Sequence, residues 1–233
     1  MKNSMLVIVL AIILSFGVAF GQDLSYSVGV KAWFNSWELE YGGGSETTDP
    51  ALMIGPSASI NYDRFFGGAS LLFTPGEYEW SYPGGYSEKA DRTDLDLIAG
   101  YMFHPRVGGF VGYKYLSADM SWEDPVDSGN YGTITLSGPS LGVTGNFPVS
   151  KNIVLFGSLS YMFLDFEWKL PTGLGTLTTD AAGTSIELGA AYIISSSWNV
   201  SMGFKSLSFI DEIGEDDLTL GFTGLTFGAN YRF

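Results

Sequence analysis

Apolar and polar residues alternate with a period of two along almost the whole chain from residue 24 onward, and helix periodicity is absent. Residues 51–62 place Leu52, Ile54, Ala58, Ile60 and Tyr62 on one face and Met53, Gly55, Ser57, Ser59 and Asn61 on the other. Residues 94–103 set Leu95, Leu97, Ala99, Tyr101 and Phe103 against Asp94, Asp96, Ile98, Gly100 and Met102. Residues 182–194 set Ile186, Leu188, Ala190, Tyr192 and Ile194 against Ser185, Glu187, Gly189 and Ala191. The pattern predicts ten strands, at 24–41, 51–62, 65–80, 94–103, 107–122, 133–147, 153–168, 182–194, 198–209 and 218–233, with eight as the alternative count. Short turns at 63–64, 104–106, 148–152 and 195–197 alternate with longer connections at 42–50, 81–93, 123–132, 169–181 and 210–217, which are rich in Gly, Pro, Asp and Glu.

Strands with one apolar face and one face of Gly, Ser and charge can sit in lipid only when every backbone group is paired. The fold class expected is therefore all-β, a closed antiparallel transmembrane up-and-down β-barrel. An even strand count puts both ends on one side. The short turns, carrying Arg64, Arg106 and Lys151, are expected on the periplasmic side, and the long, acidic connections outside.

Composition agrees. Charged residues make up 15% of the 233 residues, against about a quarter in ordinary soluble domains. The chain has no Cys, which excludes disulfides and thiolate metal sites. Its net charge of -14 argues against nucleic acid as a partner. Lys2, the apolar run Met5–Phe16 and the small residues around Gly17, Ala19 and Gly21 read as a secretory signal peptide over 1–21, leaving 22–233 as the barrel domain. The apolar run is shorter than the ~20 residues a spanning helix needs.

The last strand carries Thr226, Gly228, Tyr231 and Phe233, a polar residue, a glycine and two aromatics on a strand with one greasy face. This resembles the signal that the barrel-assembly machinery of Gram-negative bacteria reads on its clients. The chain as a whole resembles the broad class of small outer-membrane β-barrel proteins. The resemblance implies residence in the outer membrane, surrounding lipid and lipopolysaccharide, delivery by periplasmic chaperones to the assembly machinery, a monomer, and no cofactor. The strand holding Phe233 is expected to close the barrel against the one beginning near Leu24, with Arg232 pointing into the lumen.

Aromatics are expected to form two interfacial girdles, with Trp33, Trp37, Trp80, Trp122 and Trp168 toward the loop ends and Tyr62, Phe65, Phe103, Phe147, Tyr231 and Phe233 at the other rim. The alternation flips within several strands, near residue 35, at Pro75-Gly76, at Gly138-Pro139 and between Phe163 and Leu164. Either a β-bulge keeps the greasy face outward, or the strand has left the bilayer there.

The lumen face carries a charge pattern. Lys31, Lys114 and Lys205 each sit seven residues into a strand, and Asp96 and Glu187 seven residues before the ends of theirs. Paired residues across a hairpin have a constant index sum, which sets Asp96 opposite Lys114 and Glu187 opposite Lys205. These five form an expected charged layer near mid-height, either filling the lumen or constricting it. Glu38, Glu40, Glu77, Glu79, Asp119, Asp165 and Glu167 form a candidate acidic vestibule, on condition that bulges keep them inward. The acidic run Asp211–Asp217 matches no defined calcium loop and reads as solvated. The single histidine, His104, falls in a short turn, so no His-based catalytic pair can form near the loops, and no metal site is expected. The functional expectation is a narrow porin-like channel for ions or small solutes, not an enzyme. The alternative is a non-conducting structural or surface-recognition barrel acting through its acidic loops.

Overall fold

The computed structural model describes residues 24–124, 127–171, 174–213 and 216–233. The expected signal peptide over 1–21 lies outside these residues. Twelve strands follow in order: β1 (Leu24–Tyr41), β2 (Gly44–Thr47), β3 (Ala51–Tyr62), β4 (Phe65–Phe73), β5 (Tyr78–Ser81), β6 (Ser87–His104), β7 (Val107–Glu123), β8 (Ser128–Pro148), β9 (Ile153–Lys169), β10 (Thr176–Ile193), β11 (Trp198–Ile213) and β12 (Asp216–Arg232). Ten make an antiparallel wall in the order β1, β3, β4, β6, β7, β8, β9, β10, β11, β12, and β12 returns to pair with β1. The wall is a closed ten-strand barrel. β2 and β5 lie off it, folded back on β1 and β6.

Closure runs through fourteen consecutive pairs from Ser27↔Arg232 to Glu40↔Thr219. The amide of Phe233 donates to the Tyr26 carbonyl at 3.0 Å. Its ring stacks on Tyr26 at 4.8 Å and meets Tyr231 edge-on at 4.8 Å. Among the described residues the ten-strand wall has no free edge, which is the condition for a sheet in lipid.

Two strand expectations change. The segment 65–80 is broken after Phe73, because Pro75 has no N–H to donate to the ladder; beside it the Thr74 hydroxyl accepts from the Arg92 amide at 2.8 Å. The long connections are mostly strand: β6 starts at Ser87, β8 at Ser128 and β10 at Thr176. The barrel is therefore taller than the apolar pattern alone indicated.

The flips have one main cause. In and out alternate without interruption along β1: Trp33, Asn35 and Trp37 are buried while Phe34, Glu38 and Glu40 are exposed. The β1–β12 register is continuous through this point. β9 crosses Phe163–Leu164 in continuous register with β10 as well. What inverts is the chemistry. Toward the turns, outward residues are apolar, such as Val28, Val30, Val111, Leu159, Leu188 and Met202. Toward the loops, outward positions become Ser36, Ser117, Asp119, Thr135, Ser137, Asp165, Ser208 and Thr223. The strands have left the bilayer, and in water it is the inside that must be apolar. At Gly138-Pro139 the β8–β9 ladder is interrupted but resumes in the same register. A Cβ on Gly138 would lie 2.0 Å from the Phe163 carbonyl oxygen, so only glycine permits this approach. True bulges lie elsewhere, between Tyr101 and His104 and between Met120 and Ser121.

The loop-side half thus carries a packed interior. Trp33, Trp37, Met53, Tyr78, Phe166, Phe209 and Phe222 are buried to within 1%. Trp37 packs on Trp80, Phe222 and Tyr78 at centroid distances of 5.1, 5.0 and 5.9 Å. Trp33, Trp37 and Trp80 are therefore core residues, not an outer girdle. The expected rim of Tyr62, Phe65, Phe103, Phe147 and Phe233 is exposed at the turn end, where Trp198 packs edge-on against Tyr231 at 5.1 Å.

Candidate functional site: a charged layer across the lumen

All five residues of the expected layer point inward and meet at one height. Asp96 is opposite Lys114, and Glu187 opposite Lys205, in the β6–β7 and β10–β11 ladders. The ionic contacts only partly follow the ladders. Lys114 stands 3.1 Å from Asp96 and donates to Asp94 Oδ2 at 2.8 Å. Glu187 instead accepts from Lys31 of β1 through both oxygens at 3.0 Å, and from the Thr226 hydroxyl at 3.1 Å. Lys205 lies 3.6 Å from Asp96.

Asp94 and Arg92 complete the layer. Arg92 Nε and Nη2 donate to the two oxygens of Asp94, both at 2.7 Å, in a bidentate pair with 0% and 1% side-chain exposure. The guanidinium rests on the Phe222 ring at 3.6 Å and faces Trp33 at 5.2 Å. Lys205 lies over Trp33 at 4.9 Å. Beside the layer, the buried Tyr78 hydroxyl donates to Asn35 at 2.8 Å. Charges this far from water are tolerable because each has an opposite partner. Sequence reading missed Arg92 because it was assigned to a connection. The Arg92-x-Asp94-x-Asp96 spacing, three charges on one strand face, was the available signal.

The acidic residues stand elsewhere. Glu38, Glu40, Glu77, Glu79, Asp119 and Asp165 are exposed and Glu167 is half-exposed; Glu79, Asp119 and Asp165 alternate with buried neighbours on both sides. They face outward on the emergent barrel and line no vestibule, because the inward positions there are taken by the apolar core. The side chains of the acidic run at 211–217 lie outside the described residues. His104 is at the turn end, where its Nδ1 accepts from the Arg106 amide at 3.3 Å.

Of the assembly-signal residues, Thr226 and Gly228 face the lumen while Tyr231 and Phe233 belong to the turn-end rim. Below the layer lies a cavity of about 380 Å³. At the loop end, Tyr82 donates to Glu46 at 2.5 Å, and Tyr86 and Tyr131 bond each other and share Glu88 at 3.0 and 3.1 Å. Partial burial and then the Glu46 carboxylate raise the Tyr82 pKa. The bond to Tyr131, then burial and Glu88, raise that of Tyr86.

A closed wall, an apolar outer band and a salt-bridged interior define a transmembrane β-barrel. The model of the outer membrane protein beta-barrel domain family matches residues 51–233, and the chain belongs to that family. No curated protein sequence matches the chain. Among solved structures it is similar to the outer membrane protease OmpT from Escherichia coli (16% identity, TM-score 0.58, 90% of this chain and 97% of that one). It is similar also to the translocator domain of the autotransporter NalP from Neisseria meningitidis (16%, 0.50, 100% and 96%). The outer membrane protein OprG from Pseudomonas aeruginosa matches at 13% identity and a TM-score of 0.42, over 90% and 95%. At these identities the likeness is one of fold. The protein is an outer-membrane β-barrel.

Proposed function

We propose that the protein is a non-conducting outer-membrane barrel that acts through its emergent half, as a structural or surface-recognition element. The observation carrying this reading is the filled interior. Above the charged layer, Trp33, Trp37, Phe166, Phe209 and Phe222 are each within 1% of full burial, an aqueous path being incompatible with such packing. The outer face of this half offers carboxylates and hydroxyls to the medium. The layer then serves as the lumen's structural cross-brace. Maturation by removal of a signal peptide, recognition of Tyr231 and Phe233 by the assembly machinery, contact with lipopolysaccharide, and a monomeric state belong to the same reading. So does the absence of catalysis, since the one histidine sits at the turn end.

Incorporation into planar bilayers tests it. A folded barrel without unitary currents is expected; reproducible currents overturn the reading. A second reading, a narrow channel gated at the layer, draws on the serine-bearing cavity beneath. Under it, Lys114→Met changes the single-channel conductance.

A further inference from the structure

The cavity below the layer is of the size that small-solute sites occupy, ~300 Å³ and upward. Its wall is hydroxyl-rich, with Ser57, Ser70, Ser158, Ser160, Ser185 and Ser201. Its roof is the charged layer, whose balance is uneven. Among the described residues, Lys31, Arg92, Lys114 and Lys205 pair with Asp94, Asp96 and Glu187, four cations to three carboxylates.

Two of these cations are incompletely bonded: Arg92, whose buried Nη1 has no partner among the described residues but which does not line the cavity, and Lys205, which does. Lys31 and Lys114 make hydrogen bonds of 3.0 and 2.8 Å to carboxylates. The Lys205 ammonium, on a side chain only 8% exposed, has a carboxylate oxygen at 3.6 Å, beyond hydrogen-bond length, and the face of Trp33. An ammonium carries three donors, and leaving them unused away from bulk water is costly. This one lines the cavity. Toward the turn end a smaller cavity of about 190 Å³ is lined by Arg232, Asn61, Asn199 and serines. The approach from that side is thus polar and basic, while the opposite end is filled by the core.

We propose that the periplasmic half of the lumen is a binding cup for a small oxyanion, held by Lys205 and the serine hydroxyls. The cup is independent of whether the barrel conducts. The anion's charge balances the surplus cation, and its oxygens accept from donors that the wall presents on several strands. Entry is from the turn end.

Titration of the full-length barrel, folded in detergent micelles, with inorganic phosphate and separately with acetate tests this by calorimetry. Saturable binding of phosphate, with or without acetate, is expected. Lys205→Met weakens it by about tenfold or more, the value of a charged hydrogen bond. Lys205→Arg preserves it, and Lys169→Met, on the exposed rim, leaves it unchanged. Folding of each variant is read from the shift in gel migration between boiled and unboiled samples. If Lys205→Met fails to fold, the pair Ser185→Val and Ser201→Val, which removes wall hydroxyls without touching charge, is expected to weaken binding in its place. Absence of saturable phosphate binding to the unmodified barrel, whatever acetate does, or equal binding after the substitution made, overturns the proposal.

Discussion

Asp96 and Lys205 stand on strands five positions apart around a ten-strand wall, and their charged atoms come within 3.6 Å. The contact therefore spans the barrel from side to side. With Lys114 on the near wall and Lys31–Glu187 as a second chord, it fixes the cross-section where the lumen changes from polar to apolar.

The innermost carboxylate is Asp94, held by Arg92 and Lys114. Asp94→Asn leaves the buried Arg92 with a neutral partner and Lys114 with Asp96 alone, and is expected to destabilise the barrel by ~3–5 kcal/mol, as removal of one member of a buried ion pair does. Urea titration of barrels folded into lipid vesicles measures it. Asp165→Asn, on the outer face, is expected to change stability by less than ~0.5 kcal/mol.

Closure depends on close approach at Gly224, where an added Cβ would lie 2.0 Å from the Phe34 carbonyl oxygen of β1. Backbone cannot yield as a flexible side chain does. Gly224→Val is expected to block closure of the β1–β12 seam, seen as loss of the heat-modifiable gel band. Gly76→Ala is expected to retain the band, because an added Cβ there meets nothing within 4 Å and the backbone is not in the left-handed region.

The emergent half predicts a labelling pattern. The chain has no native cysteine. Asp119→Cys and Glu38→Cys are expected to react with a membrane-impermeant maleimide added to intact cells, and Trp33→Cys to resist it. Equal labelling at Trp33 and Asp119 would contradict the inward and outward assignment.

The loop-end tyrosines predict a pH response. The Tyr82 and Tyr86 pKa values are raised above the ordinary phenol range, so the folded state favours their neutral forms. Their contribution to stability is full below the ordinary tyrosine pKa of ~10 and is lost as pH rises through the raised values. Ultraviolet titration of tyrosinate is expected to lose amplitude from its late phase in Tyr86→Phe, with the ordinary phase unchanged.

Much of this was legible in the chain. Period-two alternation predicted ten wall strands, and the index sums 210 and 392 placed Asp96 beside Lys114 and Glu187 beside Lys205. In the first hairpin a register shift between Tyr101 and His104 pairs Val107 with His104 at the turn, and the body of the hairpin keeps 210. The acidic residues were misread because apolar alternation does not say which side is wet. Glu38 and Asp119 stand outward because the strands continue past the bilayer, and Arg92 was missed for the same reason.

Local pattern and hairpin register, set by a two-residue repeat and short turns, were thus determined by the sequence itself. The tertiary structure decided everything that depends on curvature. Only a closed wall sets β6 against β11, so only closure could give Asp96 a second cation in Lys205 and turn Glu187 toward Lys31. Only closure, too, brings Trp33, Trp37, Phe209 and Phe222 to one axis, where leaving the bilayer makes an apolar interior the stable one.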